Sequence, residues 1–138
     1  MKRVILACIA AALLATVGRA RAQTAQDTSV EHLLMRQALS DQPGTDVVVV
    51  SVDYPPGGTT APHDHPGSVY AYVLDGAVVS KVDDQPQRTY TKGQMWSELP
   101  RQRHMVSRNA SATEPAKLLV FFIVPHDEKK LITFLPAH

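Results

Sequence analysis

All ten prolines of this 138-residue chain fall between Pro43 and Pro136, and together with the glycines they cut it into short segments. A helix tolerates proline only in its first turn. Breaks at Pro55-Pro56-Gly57-Gly58, Pro62, Pro66-Gly67, Gly76, Pro86, Gly93, Pro100 and Pro115 therefore leave little room for helices and predict an all-β chain of short strands. There is no internal repeat, low-complexity tract or charge block.

Between the breaks the residues are of strand type. Val47-Val48-Val49-Val50-Ser51-Val52 is β-branched, which suits a pleated, half-buried surface. Residues 69–74 predict a strand closed by the turn signal Asp75-Gly76, and residues 77–82 its hairpin partner. Residues 87–91, 94–98, 105–108 and 117–124 predict further strands. Leu118-Leu119-Val120-Phe121-Phe122-Ile123-Val124 has no polar alternation, which predicts burial of both faces under either the N-terminal arm or a second subunit. Residues 23–29 read as a flexible arm, and residues 30–39 fit a short helix or an edge strand equally. The pattern describes a barrel or a sandwich.

The first 22 residues have the make-up of an export signal. Lys2 and Arg3 form a basic start, residues 4–17 an apolar run, and Ala20-Arg21-Ala22 a cleavage site, with Gln23 as the first mature residue. The expected location is periplasmic or secreted. Cys8, the only cysteine, lies in this segment, so the mature chain offers neither a disulfide nor a thiolate. Without Lys2, Arg3, Arg19 and Arg21, ten basic residues face thirteen acidic ones, a net charge of −3. That balance argues against a nucleic-acid or anionic-membrane partner. The remaining 116 of 138 residues suit one domain, a barrel over residues 46–125 with an arm at 23–45 and an extension at 126–138.

The chemistry concentrates at His63-Asp64-His65 and His104. In an extended strand, residues two apart share a face, so His63 and His65 can offer two imidazoles to one ion while Asp64 points away. Three neutral imidazoles suit Fe, Zn, Cu or Ni better than the oxygen-preferring Mg or Ca. The competing reading is three rim histidines satisfied by water. Glu98 shares a strand face with Trp96 and is the candidate carboxylate, as metal ligand, partner of a histidine or general base; its competing reading is a solvated side chain near Arg101 or Arg103. Tyr70 and Tyr72 are weaker candidates, and His32, His126 and His138 have no partner spacing. There is no G-x-S-x-G motif, and the mature chain has no nucleophilic cysteine.

These motifs resemble those of the cupin superfamily, specifically its small single-domain bacterial members. The family's first motif, G-x5-H-x-H-x3,4-E-x6-G, is matched by Gly57, His63, His65 and Gly76, and Tyr72-Val73-Leu74-Asp75-Gly76 is similar to the frequent Y-V-L-x-G. The second, G-x5-P-x-G-x2-H-x3-N, is matched by Gly93 and His104, with Asn109 one residue late. The chain departs from the pattern in two places. Val69 stands where the family has its metal-binding glutamate, and Leu99-Pro100-Arg101 replaces the proline–x–glycine turn. The resemblance implies a jelly-roll barrel, the double-stranded β-helix, in which His63, His65 and His104 converge on a divalent metal at the barrel mouth. Without a glutamate at position 69 the ion's charge is left unbalanced, which favours an anionic ligand. It also implies a small-molecule ligand or substrate and a homodimer. Three functions follow as expectations: a dioxygenase, a metal-dependent isomerase or lyase, and a non-catalytic module binding a small ligand or metal.

Overall fold

The computed structural model describes residues 27–136, and the export-signal residues lie outside them. Among the described residues there are eleven strands and no helix. They are β1 (Val30–Ala38), β2 (Thr45–Tyr54), β3 (Thr59–Thr60), β4 (His63–Asp64), β5 (Ser68–Asp75), β6 (Ala77–Val82), β7 (Arg88–Thr91), β8 (Met95–Glu98), β9 (His104–Asn109), β10 (Ala116–Pro125) and β11 (Thr133–Phe134). One sheet has the order β1-β2-β10-β5-β8; the other has β11-β4-β9-β6-β7, with β3 also on β9. The jelly-roll architecture is as expected.

The two sheets enclose the core, and the register aligns its side chains in rows. Val50, Val120, Ala71 and Trp96 are successive cross-strand partners; the next row is Val48, Phe122, Val69 and Glu98. All eight are buried, and Glu98 is the one charged group at the end of an apolar row. On the facing sheet, Phe134, His63, His104 and Val82 form a corresponding row. The site lies between the two.

Some local expectations change, and others are settled. The predicted hairpin of residues 69–74 with 77–82 does not form: β5 pairs with β10 and β8, whereas β6 pairs with β9 and β7. Gly76 is instead the corner where the chain passes from one sheet to the other. Its φ of +69° is open to glycine, and a Cβ there would lie 2.6 Å from the Pro115 carbonyl oxygen. Of residues 30–39, Val30–Ala38 form a strand, β1, antiparallel to β2 at the sheet edge. Because β1 extends the sheet rather than lying across it, β10 has one buried face, Leu118, Val120, Phe122 and Val124, and one half-buried face, Leu119, Phe121 and Ile123. The described end of the arm, residues 27–29, is tied down: the Thr28 amide donates to the Thr59 carbonyl at 2.8 Å. Asn109 is structural. Its amide donates to the carbonyls of Pro55 at 3.0 Å and Glu114 at 2.7 Å, joining two turns.

Candidate metal centre

His63 on β4 lies opposite His104 on β9, so the strand register itself sets their rings side by side, 5.0 Å between centroids. His65, just past β4 and on the same face as His63, brings its ring to 4.7 Å from that of His63. All three are at most 4% exposed, and one ring nitrogen from each lies within 4.8 Å of the others. The three histidines that the sequence singles out therefore meet at one point and could hold a metal ion.

Backbone carbonyls orient two of the rings. Nδ1–H of His63 donates to the Ala61 carbonyl and that of His65 to the Leu131 carbonyl, each at 2.7 Å, so each Nε2 keeps its lone pair for an ion. Burial, and then the neighbouring His104, hold His63 down to about 4, and burial lowers His65 as well. Both are therefore neutral near pH 7, the form a metal requires. The Ser80 hydroxyl lies 2.8 Å from Nε2 of His104.

Glu98 reaches the same point from β8. Its Oε1 is 3.1 Å from Nδ1 of His104 and accepts the Trp96 indole N–H at 3.0 Å; its Oε2 is 3.7 Å from Nε2 of His65. At 2% exposed, Glu98 is not the solvated carboxylate of the competing reading; Arg101 pairs with Asp64 and Arg103 with Asp83. Burial pushes Glu98 up, but the hydrogen bond and charge of His104, with smaller contributions from His65 and Trp96, outweigh it and leave it at about 2.

The histidines open onto a cavity of about 60 Å³, room for an ion and a small ligand. Its walls are mostly apolar, including Val50, Val52, Val69, Val120, Phe122 and Leu131. Away from the histidines, the Tyr54 hydroxyl contacts Thr60 Oγ1 at 2.6 Å and Ser107 Oγ at 2.8 Å. Burial raises the Tyr54 phenol, which keeps it protonated. Glu31 on β1 also reaches the lining, its carboxyl raised by burial and then by Asp27. Among the described residues the lining holds no lysine or arginine.

The remaining candidates lie elsewhere. Tyr70 and Tyr72 are on the outer sheet face, 43% and 39% exposed. Asp64 points away from the ion site and pairs with Arg101 at 3.0 Å. His32 pairs with Asp53, and His126 with Asp46. His138 lies outside the described residues.

Sequence reasoning misses the anchors of the rings. The Ala61 and Leu131 carbonyls carry no side-chain signal, and Leu131 belongs to the stretch read as an extension beyond the barrel. Ser80 was legible in principle, as the one polar residue in the inward series Val78, Ser80, Val82. The turn after β8 also forms without the family's glycine: Arg101 itself takes φ +64°, and its amide donates to the His65 carbonyl at 2.9 Å.

Known proteins are similar in fold and in sequence pattern. Solved structures align at low identity. An uncharacterized conserved protein with a double-stranded β-helix domain from Klebsiella pneumoniae is 17% identical over 79% of this chain and 85% of that one, with a TM-score of 0.60. An oxalate oxidase in complex with the substrate analogue glycolate is 22% identical over 83% and 59%, at 0.61. The DMSP lyase DddQ from Ruegeria pomeroyi is 19% identical over 64% and 42%, at 0.55. At these identities the likeness concerns the fold alone, and the chain spans only part of the oxidase and the lyase. No curated protein matches the sequence. A family model of the cupin domain matches residues 50–122, a stretch that holds all three histidines and Glu98. The chain belongs to the cupin family.

Proposed function

We propose that this chain is an exported cupin dioxygenase that binds one divalent metal, with iron as the metal of its reaction, through His63, His65 and His104 and acts on a small, uncharged, largely apolar molecule. The observation that carries the reading is the convergence of three buried imidazoles on one apolar cavity. Fe(II) bound there would supply the capacity to activate O₂. Among the described residues the lining holds two glutamates and no lysine or arginine, which disfavours the anionic ligand expected from the histidines alone. A volume of about 60 Å³ favours a small molecule over one of flavonoid size.

The protein's own contribution is positional. Ala61 and Leu131 hold two imidazoles in the tautomer that leaves Nε2 unprotonated. The valine and phenylalanine walls exclude water, and the Tyr54, Thr60 and Ser107 hydroxyls can bond a substituent hydroxyl at the far end. Export is supported by the Lys2-Arg3 start and the Ala20-Arg21-Ala22 site.

Elemental analysis of the untagged protein and of H63A/H104A tests the metal site. Stoichiometric metal in the first and none in the second is expected, and equal trace metal in both overturns the assignment. Oxygen uptake by the Fe(II)-loaded protein on catechols tests the reaction. Substrate loss without oxygen uptake would point to the isomerase or lyase class. Saturable binding with no turnover would point to a binding module.

A further inference from the structure

Position 69, where the family has its carboxylate, is a valine, yet the register places Glu98 directly across from Val69 on the neighbouring strand, facing the same cavity. We infer that Glu98 is the carboxylate ligand of this metal centre, moved from β5 to β8. The inference rests on the three-histidine reading above and adds a fourth donor to it.

Geometry supports a shared ion. Metal–nitrogen and metal–oxygen bonds of about 2.0–2.2 Å place neighbouring ligand atoms about 3 to 3.6 Å apart. Glu98 Oε1 lies 3.1 Å from Nδ1 of His104, and Oε2 lies 3.7 Å from Nε2 of His65. One carboxylate thus stands at or near ligand spacing from two of the three imidazoles, and a small movement of its side chain toward His63 would complete the set, since only the three histidines lie mutually within 4.8 Å. Satisfaction of buried polar atoms is the second argument. Among the described residues, Glu98 Oε2 is the buried side-chain atom without a hydrogen-bond partner, in a residue only 2% exposed. A buried carboxylate oxygen with no donor is costly unless a cation reaches it. Val69 explains why the exchange is sterically possible: a branched apolar side chain at 69 keeps the row packed while its cross-strand partner supplies the charge. With Glu98 as ligand, the centre has three imidazoles and one negative charge. That accounts for a lining without lysine or arginine, and for the preference for an uncharged substrate.

The competing role is positioning, in which Glu98 holds the His104 ring by a hydrogen bond and never touches the ion. Zn²⁺ and Co²⁺ binding to apoprotein separates the two roles. E98Q preserves shape and can still accept from Trp96 and His104, but it lacks the charge. A ligand role predicts at least about a hundredfold weaker Zn²⁺ binding in E98Q and a changed visible Co²⁺ spectrum. It also predicts that V69E/E98Q, with the carboxylate returned to β5, recovers at least about tenfold in affinity. Binding by E98Q within about threefold of the unmodified protein with an unchanged Co²⁺ spectrum, or no recovery in V69E/E98Q, overturns the inference.

A measurement on the unmodified protein covers the case in which E98Q does not fold. Zn²⁺ addition should shift a carboxylate stretch in the infrared difference spectrum, and its absence equally overturns a ligand role. Failure of the histidine reading looks different, because the unmodified protein would then bind Zn²⁺ no better than H63A/H104A.

Discussion

At the residue scale, the placement of His63 and His65 follows from strand parity, and that of His104 from its register opposite His63. Trp96 and Glu98 share an inward face for the same reason. Parity does not reveal what an inward carboxylate meets. Glu98 acquires its significance from Val69, a distant neighbour in sequence and a direct one in the sheet. A second charged cluster lies away from the site: Asp46, 2% exposed, accepts from Arg36 at 2.6 Å and contacts His126 Nδ1 at 2.7 Å, joining β1, β2 and the segment after β10. The hydrogen bond with Asp46, and then its charge, raise His126; the bond with His126 outweighs burial and, with Arg36, lowers Asp46. A raised histidine stabilises fully below its unfolded value of 6.5, and the contribution is lost as pH rises through the folded value. The lowered Asp46 contributes above 3.8 and loses its contribution as pH falls through its folded value. H126A should therefore lower the urea midpoint at pH 5.5 and much less at pH 8.5. A penalty equal at both values would refute the linkage.

At the element scale, the strands were legible because β-branched runs and breakers are local signals. Pairing was not, because Asp75-Gly76 fits a hairpin and a sheet-to-sheet corner equally. The backbone of Pro115 and Ala116 packed against Gly76 decides for the corner, and it comes from 39 residues further along the chain. The C-terminal stretch makes the same point. β11 pairs with β4, and Leu131 just before it anchors His65, so residues outside the family-model match complete the site. Truncation after Lys130 should leave the far-ultraviolet circular dichroism of the barrel in place. It should also weaken Zn²⁺ binding by about 10–100-fold, as expected when a hydrogen bond orienting a ligand is lost. Unchanged affinity would show that the Leu131 carbonyl does not matter.

At the scale of the whole molecule, the outer face of the five-stranded sheet is the surface least like a monomer's. Phe121 pairs with Tyr70, and in the next row of the same face Leu119 pairs with Tyr72 and Tyr72 with Met95; Tyr70, Tyr72 and Met95 are 39–54% exposed. β1 leaves this face uncovered, so we propose a second copy of the chain as its cover. Light scattering should give a dimer mass that falls to monomer in Y70K/Y72K; a monomeric unmodified protein would reject the proposal. The β-rich character, the short strands and the histidine pair can be read from the chain alone, because they depend on steric preferences and alternation within a few residues. Tertiary structure decided which strands pair, where the chain changes sheets, and what Glu98 and Leu131 stand beside. Those are contacts between residues distant in the chain, set by packing two sheets around one core, and no local pattern encodes them.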